Sequence, residues 1–167
     1  MTPRTLMLWQ RNVIGLAVAA VAMVVLGITD LYPHWSAYRA GIAPARVIAK
    51  GDTATVDGQT WRVGAIHHLN AVPHARERLP AHTALTVVTV ERTGTPPPRE
   101  CTAVITDGRR RWQTAALSNR APLVGGATDR CSRPGPLQLS FLLPSDAVPT
   151  AVDLIDANNA IMLRIML

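Results

Sequence analysis

The stretch LQLSFLLPSDAVPTAVDLIDANNAIMLRIML, residues 137–167, decides the fold. Leu137, Leu139, Phe141 and Leu143 stand at alternate positions up to Pro144. Side chains on a strand point to opposite faces with period two, so this run predicts a strand with one apolar face. AVDLI (151–155) and AIMLRIML (160–167) follow, joined across Asp156 to Asn159, and read as a hairpin that closes the chain. In its last run Ile161, Leu163, Ile165 and Leu167 face one way, and Ala160, Met162, Arg164 and Met166 the other. With Arg164 as the lone polar residue, the strand is expected to be central or covered on both faces.

Moving toward the N-terminus, strand-like runs keep alternating with turn signals. CTAVIT (101–106), Asp107-Gly108 and RRRWQT (109–114) predict a hairpin, and ALTVVTVE (84–91) is a β-branched strand. TATV (53–56), Asp57-Gly58 and QTWRVGAI (59–66) predict an opening hairpin, because Asp-Gly supplies the positive φ angles of a two-residue turn. Trp61, Val63 and Ala65 are expected on its buried face. Residues 67–82, 93–99 and 115–136 read as loops. About eight short strands with no amphipathic helix among them predict an antiparallel sandwich or barrel.

Ahead of this β-rich part lies NVIGLAVAAVAMVVLGIT, residues 12–29, without a charge and bounded by Arg11 and Asp30. As a helix at about 1.5 Å per residue it is about 27 Å long, close to the hydrocarbon thickness of a bilayer. Trp9, Tyr32, Trp35 and Tyr38 flank it and supply four of the chain's seven aromatic residues, as expected of rings at headgroup level. A cleaved signal peptide is the rival reading. The nearest small-x-small site, Ala43-Pro44-Ala45, stands too far beyond the apolar run for cleavage, so an uncleaved anchor is expected. Arg4 and Arg11 precede the run, and the nearest basic residue after it is Arg39. The positive flank stays in the cytoplasm. The expected organisation is a cytoplasmic tail (1–11), a transmembrane anchor (12–29), a juxtamembrane linker (30–45) in which Pro33 and Pro44 break helix, and an extracytoplasmic domain (46–167). The protein is thus placed in the inner membrane, single-pass. Gly15 and Ala19 form a small-xxx-small pair, a weak signal in an Ala-rich span.

The net charge is +6, carried by 16 arginines and a single lysine. A mildly basic outer domain suits anionic headgroups or wall polymers. No basic run interleaved with aromatics is present, which argues against nucleic acid. In an oxidising compartment Cys101 and Cys131 are expected to pair.

The order of features resembles the telokin-like, immunoglobulin-like domain of bacterial membrane-anchored proteins and lipoproteins. The residues that carry the resemblance are the Gly51–Val63 hairpin, the strand and polar turn over Ala84–Gly94, Asp107-Gly108, Cys131 with Pro134-Gly135, and LSFLLPSDAVPTAVDLI (139–155). The chain lacks the Asn-rich end often seen in that family after the β-branched strand. The resemblance implies an Ig-like antiparallel β-sandwich over about residues 46–167 and implies no chemistry.

Candidate sites are few. His67, His68, His74 and His82 cluster within one stretch and could bind a metal or sense pH, but the spacing is that of solvated loop histidines and no metal is assigned. Arg109 and Arg111, at alternate positions, share a face if extended and could grip a phosphate or carboxylate. A charged edge strand that discourages aggregation explains the same residues. No nucleophile elbow, phosphate-cradling glycine loop or zinc-protease helix is present, so no catalysis and no cofactor are expected. The expected function is that of a non-enzymatic adaptor or accessory subunit. The bilayer is its partner through residues 12–29, and another envelope protein is bound by the outer domain. An anionic lipid, a wall polymer or another small ligand is the alternative partner, and a metal- or pH-sensing domain using the His-rich loop is the second alternative.

Overall fold

The computed structural model describes residues 8–69, 79–95, 100–115 and 123–167. The chain forms two compact units, Met1–Arg39 and Ala40–Leu167.

The first unit is helical. Helix α1 runs Leu8–Leu26 and buries no residue against the chain. One turn of π-helix follows at Gly27–Leu31, then helix α2 at Tyr32–Ile42. Together they make one apolar helix, Leu8–Ile42, long enough by length and composition to cross a membrane. Trp9, Tyr32, Trp35 and Tyr38 are all exposed along it, the last two with ring centroids 5.8 Å apart. The helix passes straight through Pro33, against the expected break. The reason is local: the Tyr32 N–H donates to Gly27 O in the π register, so α2 restarts there and Pro33 falls in its first turn. A missing N–H is tolerated at that place.

The second unit is a sandwich of two sheets. Strands β1 (Val47–Ile48), β9 (Ile161–Met166), β8 (Ala151–Ile155), β5 (Thr102–Thr106) and β6 (Arg111–Gln113) form the first sheet, in that spatial order. Strands β2 (Thr53–Val56), β3 (Gln59–Leu69), β4 (Thr83–Thr93) and β7 (Leu137–Pro144) form the second. Among the described residues every ladder is antiparallel except β1 with β9, a two-residue parallel pairing of Val47 with Arg164 and Ile48 with Ile165. The core between the sheets gathers Ile48, Trp61, Val88, Val90, Ile105, Leu139, Phe141, Leu143, Val152, Leu154, Leu163 and Ile165. The all-β sandwich preceded by an apolar helix is therefore the architecture of this chain.

The Asp57-Gly58 hairpin forms as expected, with φ of 51° and 75°. Gly94 backs onto it at φ +105°, where an added Cβ would lie 2.6 Å from Gly58 O. Three expectations change. Strand β3 reaches Leu69, so His67 and His68 lie on a strand, not in a loop. A bulge between Val63 and Ala65 shifts its alternation by one, so that Val63 and Ile66 pack on the core rather than Val63 and Ala65. And β9 is interior as expected, but a second irregularity at Leu154/Ile155 sets Ile161 with Val104 and Ile155 in a separate apolar cluster.

Cys101 and Cys131 are joined by a disulfide, with Cα atoms 5.7 Å apart. Arg92, at the end of β4 and only 5% exposed, holds the same region from the other side. Its Nε donates to Gly135 O at 2.8 Å and its Nη1 to Cys131 O at 2.7 Å. Nη2 donates to Arg130 O and Arg133 O. The guanidinium also lies 5.7 Å from the centroid of the Trp61 ring, its partner in the β3–β4 register. Burial pushes the Arg92 pKa below its ordinary value.

Candidate functional site: an arginine cleft

The connection from β5 to β6 is set by one carboxylate. Asp107 Oδ1 accepts the backbone N–H of Arg109 at 2.9 Å and of Arg110 at 2.6 Å. Asp107 Oδ2 accepts Arg110 Nε at 3.0 Å. Thr106 Oγ1 donates to Arg110 O and accepts the Gly108 N–H, which closes the loop. These bonds, led by the Arg110 and Arg109 N–H groups, lower the Asp107 pKa to about 2. Arg110 is thereby turned toward Asp107 and over the Trp112 ring, 5.2 Å from its centroid. Arg109 has no hydrogen-bond or ion-pair partner for its guanidinium among the described residues.

Next to this loop, β8 carries a buried acid. Asp153 is 0% exposed and faces away from the core residues Val152 and Leu154. Its register neighbour on β9 is Arg164. Arg164 grips it bidentately, Nε to Oδ1 at 2.6 Å and Nη2 to Oδ2 at 2.8 Å. Arg111 Nη2, on β6, reaches Oδ2 at 3.3 Å. The hydrogen bonds Arg164 donates to Asp153 raise the Arg164 pKa despite partial burial.

These groups line an open cleft of about 380 Å³ on the outer face of the five-stranded sheet. Arg109, Arg111 and Arg164 supply its charge, Ala151, Met166 and Ile42 its apolar wall. The neutral hydroxyls in it are already engaged: Thr106 as above, and Thr150 Oγ1 on Thr106 O at 3.2 Å. A group that entered would therefore meet guanidinium N–H groups as the free side-chain donors. A second, shallower opening of about 510 Å³ beside it is lined by Asp107, Arg109, Arg110, Asp146 and the 75% exposed Val148.

The sequence-predicted pair Arg109 and Arg111 is thus brought to one cleft, though not by strand alternation. Arg109 sits in the loop and only Arg111 is on β6. Sequence reasoning missed Asp153 and did not join it to Arg164. A signal existed, since one acid stands in AVDLI and one base in the facing run of the same hairpin. The histidines do not converge. His67 and His68 are consecutive on β3 and point to opposite faces, and His68 Nδ1 lies 3.0 Å from Thr86 Oγ1. His82 occupies a turn at φ 59°, and His74 falls outside the described residues. No group of three or more metal-ligating side chains occurs among the described residues.

No family model matches the chain. No curated protein matches it. Among solved structures it is similar to the secreted protein MPT63 of Mycobacterium tuberculosis, at 16% identity over 75% of this chain and 99% of that one, with a TM-score of 0.46. It is also similar to an uncharacterized β-sandwich protein of Clostridium difficile 630, at 11% identity over 73% of this chain and 93% of that one, with a TM-score of 0.37.

Proposed function

We propose that this chain is a single-pass inner-membrane protein, N-terminus cytoplasmic, that presents one telokin-like, Ig-like β-sandwich outside as a non-catalytic adaptor or accessory subunit. The observation that carries this reading is α1: from Val13 to Leu26 its residues are apolar and none is buried in the chain, so lipid is the natural cover for them. The disulfide suits an oxidising compartment. A tethered sandwich acts through its surfaces and strand edges. The test is a mild-detergent pull-down of the full-length protein read by mass spectrometry, with a non-reducing gel of the same sample. One stoichiometric membrane or envelope protein is expected, with Cys101 and Cys131 oxidised. Cysteines reduced in freshly lysed cells would overturn the orientation, and the absence of any stoichiometric protein would overturn the adaptor role.

A second reading, an anionic-ligand module, is favoured by the cleft in which Arg109, Arg111 and Arg164 meet.

A further inference from the structure

We propose that the cleft formed by Arg109, Arg111 and Arg164 binds a phosphate oxyanion, and that its physiological source is the headgroup of an anionic phospholipid. The inference deepens the second reading above, and its choice of lipid rests on the anchored topology.

Charge comes first. Three guanidiniums line the cleft and two of them, Arg111 and Arg164, share one carboxylate, Asp153, which leaves a net of +2 among these four groups. Asp153 is fully buried and engages Nε and Nη2 of Arg164 and Nη2 of Arg111. Its role is to position those two planar groups, whose remaining N–H donors are left over. Arg109 contributes a whole guanidinium with no partner among the described residues. Planar forks of donors match the tetrahedral oxygens of a phosphate, and delocalised cations are more readily desolvated than ammonium groups. The Thr106 and Thr150 hydroxyl protons are already donated, so the side-chain donors left to an entering group are guanidinium N–H groups.

The apolar wall and the chain path select the source. Ile42, Ala151 and Met166 give the cleft an apolar side, and exposed Val148 stands beside Arg109 in the adjoining opening. A free phosphate has no use for such a wall, whereas a glycerophospholipid presents a phosphate next to an apolar body. Ile42 is the last residue of the helix that follows the apolar run, and only residues 30–41 separate the two. As helix that tether reaches about 18 Å. Residues 30–41 are thus all the chain that runs between the expected anchor and the apolar wall of the cleft.

The experiment uses full-length protein in a neutral detergent, examined by native mass spectrometry with phosphatidylglycerol, with phosphatidylcholine, and separately with glycerol 3-phosphate. Wild type should retain phosphatidylglycerol over phosphatidylcholine. The Arg109→Ser/Arg111→Ser variant should bind it about a hundredfold more weakly, since it removes two charged contacts worth about tenfold each. Arg62→Ser, an exposed residue of the other sheet, should change nothing. Asp153 and Arg164 are left intact, so an unchanged melting temperature and an oxidised disulfide certify the fold of the double variant. Glycerol 3-phosphate bound as tightly, with the same dependence on Arg109 and Arg111, would keep the phosphate site and overturn its lipid source. Lipid and glycerol 3-phosphate binding that are both insensitive to the double substitution would overturn the proposal. Recovery of the protein from the soluble fraction without detergent would overturn the anchor instead and leave the glycerol 3-phosphate result standing.

Discussion

Replacing Arg92 by methionine should be among the most destabilising single changes in the sandwich. The stem is retained and the guanidinium removed. Four carbonyls lose their donor: Gly135, Cys131, Arg130 and Arg133. The bond to Cys131 O is fully buried, and an orphaned buried acceptor costs about 1–3 kcal/mol. The other three are partly open, so water replaces the donor and about 0.5 kcal/mol each is lost. Loss of the guanidinium from the Trp61 ring adds about 1 kcal/mol. Relief of the desolvation that depresses the Arg92 pKa offsets part of the sum. The expected net loss is about 3 kcal/mol, or about 12 °C in Tm for a domain of this size. Urea and thermal unfolding of full-length protein in neutral detergent, followed by tryptophan fluorescence, measure it. Arg92→Lys should recover less than half, because a point ammonium cannot span carbonyls at residues 130–135. A loss below about 1 kcal/mol for Arg92→Met would refute the view that this guanidinium organises the 130–135 loop.

Further changes probe other parts of the fold. Cys101→Ser/Cys131→Ser opens a loop with sequence separation 30 and should cost about 3–4 kcal/mol in urea unfolding, a shift that a reductant applied to wild type reproduces. Gly94→Ala forces a Cβ toward Gly58 O at a φ of +105°, and should lower stability by about 2–4 kcal/mol, whereas Gly108→Ala, at positive φ but in open space, should cost less by the same assay. Asp153→Ala leaves Arg164 without its buried partner and should cost about 3 kcal/mol; a change under 1 kcal/mol would mean the pair is solvated. Asp107 is held at a pKa of about 2 when folded, below its unfolded value of about 4. Its contribution is therefore present above pH 4 and lost as pH falls toward 2. The melting temperature of wild type should drop through that window more than that of Asp107→Asn, and parallel curves would contradict the turn described for Asp107.

The strands were legible because their alternation and their turns are local. AVDLI occupies the residues of β8 and TATV those of β2, and Asp57-Gly58 makes the turn its residue types demand. What was not legible depends on neighbours distant in the chain. The two-residue β1 has no pattern of its own and exists because β9 lies beside it. The bulge at Gly64 reverses the parity of β3, so a periodic reading that begins at Trp61 assigns Ala65 to the wrong face. Pro33 misled because a helix with a π turn supplies a new start where a regular one would have an obligatory donor. In the cleft, Arg109 and Arg111 were visible as residue types, but the buried carboxylate that aligns Arg111 with Arg164 lies on a strand 42 residues away.

The parallel contact between β1 and β9 has a mechanical meaning. Any pull along the chain from Ile42 enters the sandwich at β1. That strand is held by two register pairs, with the Ala45 N–H donating to Ile161 O, the Arg164 N–H donating to Arg46 O, and Ile48 plugged into the core. Behind it stand ladders many residues long and a covalent cross-link. With the fewest register pairs, β1 is the strand expected to yield first under tension. Residues 43–52 then pay out as slack, about 33 Å when extended, while β2 to β9 stay folded. The same event withdraws Ile42 from the wall of the arginine cleft. The domain's first strand is thus its weakest mechanical link, and its release would alter the cleft together with the edge of the core that Ile48 fills.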